Sequence, residues 1–183
     1  MSRKYKFLNK EGIYFVSFAT VYWIDVFIRE IYFREVIESL KYCQKEKGME
    51  IFAYCIMTNH IHLIFRAKEH NPGDVLKSFK QFTSNKLQSV ISENVKESRR
   101  NWLLWIMEKA ASKNSNAKKR QFWQQHNHPI ELWSPAVMNQ KLEYTHNNPV
   151  KAGFVREPQD WKYSSAIDYC GGKGLLDISF FFE

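Results

Sequence analysis

The stretch 51–65, IFAYCIMTNHIHLIF, decides the fold of this 183-residue chain. Two runs rich in β-branched and aromatic residues, 51–57 and 60–65, are separated only by Thr58 and Asn59. This spacing is typical of a β-hairpin, although Thr-Asn is not the preferred turn pair. The sequence therefore predicts two neighbouring antiparallel strands.

Two histidines lie in the second of these runs. Residues two apart in a strand face the same side, so His60 and His62 project together while Ile61 and Leu63 face the core. Two imidazoles in this arrangement can converge on one metal ion. They are equally consistent with two hydrogen-bonded histidines on a half-buried strand face, and the strand pattern alone leaves both interpretations open.

Outside the hairpin, strand-like and helix-like segments alternate. Upstream, the run 13–20 predicts a strand, and apolar residues at helical spacing predict a helix over 31–47 that ends at Gly48. Downstream, the same patterns predict helices over residues 72–91, 99–111 and 136–147, and a short strand over residues 130–133. This order predicts an α+β fold of the ferredoxin-like type, with helices packed on a central antiparallel sheet in one domain, 1–183.

The composition excludes a disordered chain and points to a polyanionic partner. Hydrophobic residues make up 44% of the chain and aromatic residues 16%, which is enough to build a packed core. The formal net charge is +8. A compact basic domain favours nucleic acid as the partner, with an anionic membrane surface as the second choice.

Basic side chains beside the predicted core suggest where a phosphate backbone binds. Lys77 and Lys80 lie off the apolar stripe of the 72–91 helix, and a basic loop follows the 99–111 helix. We predict DNA-backbone contacts from six residues: Lys77, Lys80, Lys86, Lys118, Lys119 and Arg120. Such contacts make the affinity fall steeply with salt.

The cysteines and the apolar runs bear on the compartment. The chain has three cysteines, Cys43, Cys55 and Cys170, which are far apart and form no C-x-x-C pair. This pattern favours neither a disulfide framework nor a zinc ribbon. The run 13–28 contains Ser, Thr and Asp and is shorter than the roughly 20 residues of a membrane span. We therefore expect a cytoplasmic protein without a membrane partner.

A second group of candidate residues lies near the end of the 136–147 helix. Tyr144 and Asn148 are four residues apart and would share one face of a helix, although Pro149 makes Asn148 a terminal residue. Taken alone, this spacing also describes a tyrosine packed under the sheet and an asparagine that ends a helix.

Together, the two groups of residues suggest a reaction. His60, His62 and the amide of Asn148 make three metal ligands and leave positions free for phosphate oxygens. Tyr144 would then lie beside the polarised phosphate. Because the reference pKa of tyrosine is about 10, it needs nearby positive charge to act as a nucleophile. Its attack would produce a covalent phosphotyrosine.

Three segments of the sequence resemble those of a known family. Residues 52–64, FAYCIMTNHIHLI, resemble the His-hydrophobic-His strand of the single-tyrosine HUH transposases. Residues 144–155, YTHNNPVKAGFV, resemble the catalytic helix of the REP-associated tyrosine transposase branch, and residues 161–166, WKYSSA, resemble the segment after it. The resemblance extends from about residue 5 to residue 180. One departure is Thr58, where many relatives have proline.

The resemblance implies a ferredoxin-like HUH fold that cleaves and rejoins single-stranded DNA at hairpin-associated sites through a 5′-phosphotyrosine. Carried over, Tyr144 matches the nucleophile, His60 and His62 match the metal-binding histidines, and Asn148 occupies the place of the third ligand. The implied cofactor is Mg²⁺ or Mn²⁺, and the implied partner is single-stranded DNA with REP-like hairpins. The implied location is the nucleoid in the cytoplasm of a prokaryote. Relatives work as homodimers with exchanged tyrosine helices and as monomers, so the oligomeric state stays open.

Two other functions compete with strand transfer. One is a non-catalytic single-stranded nucleic-acid-binding module, because a ferredoxin-like sheet with aromatic residues also describes RNA-recognition domains. The other is a metal-dependent nuclease in which the histidine pair activates water and no covalent adduct forms.

Overall fold

A four-stranded β-sheet forms the centre of the computed structural model, which describes residues 7–115, 117 and 119–181. Its strands are β1 (Tyr14–Ala19), β2 (Met49–Ile56), β3 (His60–Ala67) and β4 (Ile130–Glu131). They lie in the order β2-β3-β1-β4, and each neighbouring pair is antiparallel. The predicted α+β, ferredoxin-like fold is therefore confirmed.

Six α-helices lie between and after the strands in the described residues. Those in the described residues are α1 (Glu30–Glu46), α2 (Pro72–Glu93), α3 (Arg100–Ala111), α4 (Pro135–His146), α5 (Asn148–Lys151) and α6 (Ala166–Tyr169). α2 and α4 both begin with proline after a capping side chain, Asn71 and Ser134 respectively. None of the helices in this described part of the chain is long and apolar enough to cross a membrane.

The β2–β3 hairpin forms where the sequence predicts it. The connection from Ile56 to His60 is closed by a hydrogen bond from the Met57 amide to the His60 carbonyl, 2.8 Å long. The register of the pair shifts between Ile51 and Ala53, which marks a β-bulge. The hairpin places the histidine strand next to β1, in the interior of the sheet.

The two faces of the sheet pack against different helices. Ile61, Leu63 and Phe65 of β3 belong to the large core cluster that includes the buried faces of α1 and α2. Ile64 lies in a second, smaller cluster on the other face, against residues of α4. Because side chains alternate along a strand, His60 and His62 lie on the α4 face with Ile64. This alternation brings α4 to the histidines.

The segment before α6 covers the outer edge of β2. The Ile56 amide donates to the Tyr163 carbonyl at 2.9 Å, and the Ser165 amide donates to the Tyr54 carbonyl at 3.0 Å. The indole of Trp161 donates to the Ile56 carbonyl at 3.0 Å. These bonds occupy backbone groups at an edge of β2 that would otherwise be open to pairing with another chain. They also fix the end of β2 that leads into the hairpin turn.

Candidate active site

The imidazole rings of His60 and His62 lie side by side on β3. Their ring centroids are 4.7 Å apart and the rings are nearly perpendicular, at 76°. His62 is buried, and neither of its ring nitrogens has a hydrogen-bond partner among the described residues. Burial, with the nearby charges of His60 and Lys141, lowers the pKa of His62 to about 3. The ring is therefore neutral at pH 7 and keeps a free lone pair, as a metal ligand requires.

A hydrogen-bond chain determines which nitrogen of His60 carries the proton. The Asn59 amide nitrogen donates to the Trp23 carbonyl at 3.2 Å and to Asp25 Oδ1 at 3.0 Å. This leaves Asn59 Oδ1 as an acceptor 2.7 Å from His60 Nδ1. This contact is shorter than the 3.2 Å between His60 Nε2 and Asn148 Oδ1, so we assign the proton to Nδ1, which leaves the Nε2 lone pair facing the site. Burial also lowers the pKa of His60.

Asn148 completes the donor set beside His60. Its Oδ1 lies 3.2 Å from His60 Nε2. Neighbouring ligand atoms of an octahedral ion with bonds of about 2.1 Å are about 3.0 Å apart, so this separation suits two ligands of one metal ion. Residues 7–115, 117 and 119–181 contain no cluster of three or more His, Cys, Asp or Glu side chains suited to a metal. The donors at this site are two imidazoles and one amide oxygen, a set that fits a divalent cation.

Tyr144 reaches the same site from α4. Its ring centroid is 5.1 Å from that of His62 and 5.9 Å from that of Phe15, in edge-to-face contacts. Tyr144 is 41% exposed, so its phenol is accessible from solvent. The tyrosine and the histidines are thus adjacent in space, although more than 80 residues separate them in the chain.

The helix that carries Tyr144 differs from the sequence prediction. A single helix over 136–147 was expected to stack Tyr144 and Asn148 on one face, but α4 ends at His146 and α5 begins at Asn148. The break follows from Pro149, which has no amide to continue the helical hydrogen bonding. Both side chains still reach the histidines, Tyr144 at His62 and Asn148 at His60.

Two lysines near the tyrosine were not predicted from the sequence. Lys141 Nζ lies 5.5 Å from the Tyr144 ring centroid, and Lys151 Nζ lies 5.8 Å from it. Their ammonium groups contact the ring by cation–π interaction and supply positive charge that attracts phosphate. A signal for Lys141 was present, because it precedes Tyr144 by three residues and so shares its helix face.

Comparisons with known proteins identify the family of the chain. A family model described as "Transposase IS200 like" matches residues 11–124, which is more than half of the chain. The chain belongs to the IS200-like transposase family. The matched span contains β1, β2, β3 and both histidines, while Tyr144 and Asn148 lie beyond it.

Two relatives of this IS200-like transposase come from the predicted branch. A Haemophilus influenzae protein, provisionally named as a REP-associated tyrosine transposase, is 23% identical over 165 residues, covering 90% of this chain and 85% of its own. A solved structure of the REP-associated tyrosine transposase bound to a REP hairpin has a TM-score of 0.67 at 15% identity, over 100% of this chain and 96% of that chain. The resemblance to this branch is confirmed, and the second match shows a shared fold.

The predicted DNA-binding lysines of α2 lie in different environments in this transposase. Lys77 is exposed. Lys86 Nζ is 4.0 Å from a carboxylate oxygen of Glu35. Lys80 is not on an outer basic face, which corrects the sequence expectation. Its ammonium donates to the Gln124 carbonyl at 3.0 Å and to the Asn127 side chain, and burial lowers its pKa to about 8.

The basic loop after α3 is described only in part, because Lys118 lies outside the described residues. Lys119 is exposed, and Arg120 forms an ion pair with Glu108 at 2.8 Å. Lys80, Lys119 and Arg120 line one groove of about 1390 Å³. The structure thus brings three of the six predicted basic residues to one groove and leaves Lys77 on the open surface of α2.

Proposed function

We propose that this protein is a strand transferase that cleaves and rejoins single-stranded DNA at hairpin-associated sites, with Tyr144 as the nucleophile. The observation that carries the proposal is the 5.1 Å separation between the rings of Tyr144 and His62. These residues come from α4 and β3, and the pair His60–Asn148 lies beside them at 3.2 Å. A nucleophile next to a metal-ligand set is the arrangement that phosphoryl transfer requires.

The fold and the charge support hairpin-bearing DNA as the partner. The structural relative at TM-score 0.67 is bound to a REP hairpin, and the net charge of +8 favours a polyanion. The wide exposure of Tyr144 suits a flexible single strand that can bend a phosphate into the site. These features together favour single-stranded DNA over a small phosphate ester.

The reaction conserves the number of phosphoester bonds. Tyr144 Oη forms a bond to phosphorus as the bond from phosphorus to the 3′ oxygen breaks, which yields a 5′-phosphotyrosine and a free 3′-hydroxyl. The phenolic proton passes to solvent, and the departing 3′ oxygen takes up a proton. Lys141 and Lys151, whose Nζ atoms lie 5.5 and 5.8 Å from the Tyr144 ring centroid, supply positive charge that attracts the phosphate. A 3′-hydroxyl from another strand reverses the step without an energy source.

His60, His62 and Asn148 would hold the divalent metal. When bound, Mg²⁺ or Mn²⁺ draws negative charge from the phosphate oxygens and so makes phosphorus easier to attack. Imidazole ligands suit Mn²⁺ better than Mg²⁺, which prefers oxygen. The protein's own contribution is to keep both imidazoles neutral through burial and to point His60 Nε2 into the site through Asn59.

The complete set of residues lies within one chain. Tyr144 contacts His62 of its own chain, and α4 packs on its own β2 and β3. The tyrosine and the histidines of one chain thus form one site, and we propose that Tyr144 attacks a phosphate held by the histidines of its own chain. Sedimentation analysis of the protein with and without DNA tests this part of the proposal, and an active dimer with no active monomer contradicts it.

The proposed function is tested by the formation of a covalent adduct. End-labelled single-stranded hairpin DNA is incubated with the protein and Mg²⁺ or Mn²⁺, then separated on a denaturing gel. We expect a protein–DNA adduct with the wild type and none with Tyr144→Phe. Tyr42→Phe is the matched control, because Tyr42 is an exposed tyrosine on α1 and should leave the adduct intact.

The other outcomes identify the competing functions. DNA cleavage that persists in Tyr144→Phe, with no adduct, would indicate a metal-dependent nuclease. DNA binding without cleavage in either metal would indicate a non-catalytic binding module.

A further inference from the structure

Two exposed aromatic residues next to His60 have an unusual backbone. Tyr22 and Trp23 adopt φ angles of 54° and 55°, in the left-handed region that bulky residues disfavour. Their side chains are 47% and 55% exposed, so burial in the core does not explain why large rings occupy this turn. Glycine or asparagine would fit the same backbone with less strain.

Several hydrogen bonds keep the turn in this conformation. The Trp23 amide donates to the Thr20 carbonyl at 3.1 Å, and the Val21 amide donates to the Phe122 carbonyl at 2.8 Å. The Asn59 side chain donates to the Trp23 carbonyl at 3.2 Å. Asn59 also accepts from His60, so the turn and the histidine strand are held by the same side chain. Strain retained in such a framework is typical of functional sites.

The position of the rings suggests what they bind. The Trp23 ring centroid is 5.5 Å from that of His60, so an exposed indole lies at the border of the proposed phosphate site. Lys113 Nζ is 5.9 Å from the Tyr22 ring centroid and supplies positive charge beside that ring. Aromatic faces alternating with cations form the surface that unpaired bases and their phosphates need.

We propose that Trp23, with Tyr22 beside it, is a stacking platform for unpaired bases of the DNA strand that adjoins the scissile phosphate. This inference rests on the proposed function, because it takes the strand to be held at His60. It adds a base-binding surface to the histidine, asparagine and tyrosine residues that handle the phosphate. The platform would bind bases by their flat faces and therefore with little sequence preference.

A binding assay without cleavage isolates the platform. The protein carries Tyr144→Phe and the buffer contains EDTA, so neither attack nor a metal contributes. Two labelled probes of about twelve nucleotides, within the roughly 4–16 of known single-strand sites, are compared by fluorescence anisotropy. One is a thymidine strand, and the other is an abasic strand with the same number of phosphates.

The test variant is Trp23→Asn, because asparagine tolerates the left-handed backbone and removes only the ring. We expect about five-fold or greater loss of affinity for the thymidine strand and little change for the abasic strand. The melting temperature should equal or exceed that of the parent protein. Trp23→Phe keeps a flat ring and should retain most of the affinity.

The matched control is Trp105→Gln, because Trp105 is 53% exposed on the regular helix α3. An equal loss in that variant, an equal loss on both probes, or no loss in Trp23→Asn contradicts the platform. Failure of the parent protein to bind the thymidine strand contradicts it as well. Adduct formation by the wild type is scored separately with metal present, so failure of the proposed chemistry is distinguished from failure of the platform.

Discussion

Asn59 Oδ1 accepts a hydrogen bond from His60 Nδ1 at 2.7 Å, and this contact orients the histidine that begins β3. The Asn59 amide nitrogen is held in turn by Asp25 and by the Trp23 carbonyl. Partners of this kind fix the tautomer and ring angle of a metal-binding histidine. The residue before the first histidine is therefore a positioning residue for the candidate metal site.

Removal of that contact should weaken metal binding. In Asn59→Ala, His60 Nδ1 loses its acceptor, and we expect the affinity for Mn²⁺ to fall about 10- to 100-fold, measured by calorimetry without DNA. Asn85→Ala is the control, because Asn85 is exposed on α2. An unchanged Mn²⁺ affinity in Asn59→Ala would show that His60 does not depend on this bond.

His62 should be dispensable for folding and required for the metal. Both ring nitrogens are buried and without a partner among the described residues, and an unsatisfied buried polar group costs about 1–3 kcal/mol. We expect His62→Leu to keep or raise the free energy of unfolding without metal, by up to about 1 kcal/mol. Mn²⁺ should raise the melting temperature of the wild type and not of the variant. A loss of stability in the metal-free variant would indicate a structural role instead.

Acid should destabilise the protein through its buried histidines. Burial lowers the pKa of His146 from 6.5 to about 4, and its Nε2 lies 2.9 Å from Ser165 Oγ. Below pH 6.5 the unfolded chain binds a proton that the folded state rejects, so stability is lost as the pH falls toward 4. The expected slope is about 1.4 kcal/mol per pH unit for this histidine.

Denaturant titrations between pH 7.5 and 4.5 measure the slope. His146→Gln should reduce it, whereas His70→Gln, at an exposed position, should leave it as in the wild type. A slope that is identical in all three proteins would contradict the assignment to His146.

Two lysines of α2 should affect different properties. Lys77→Gln should lower the slope of log affinity against log salt by about one for hairpin DNA, if this exposed side chain contacts a phosphate. Lys80→Gln should instead lower the free energy of unfolding by about 1–3 kcal/mol, because its ammonium holds the Gln124 carbonyl and Asn127. The reverse result, a salt effect from Lys80 with full stability, would contradict the observed bonds.

Local sequence patterns predicted the strands and helices, and they predicted which side chains lie on the same face of a strand. The hairpin, the start of α2 after Asn71 and the facing histidines of β3 follow from turn length, capping and alternation. The predicted helix over 136–147 corresponds to α4, which ends one residue earlier at His146, and the separate short helix α5 follows at Asn148.

Long-range contacts could not be predicted in the same way. Lys80 looked like a surface lysine from its helical position, but the loop at Gln124 and Asn127, over 40 residues later, covers it. The same holds for Asp25 and Trp23, which bind the Asn59 side chain from a segment more than 30 residues earlier in the chain. The spacing of residues within one segment does not predict contacts between segments that are far apart in the chain.

Mass spectrometry of the trapped complex tests the central claim most directly. After reaction with hairpin DNA and Mn²⁺, nuclease and trypsin digestion should leave a nucleotide on the peptide 142–151, LEYTHNNPVK. The account predicts a 5′-phosphonucleotide on Tyr144 and a free 3′-hydroxyl on the released strand. Cleaved DNA with free 5′-phosphate ends and an unmodified Tyr144, or a nucleotide on another residue, would contradict it.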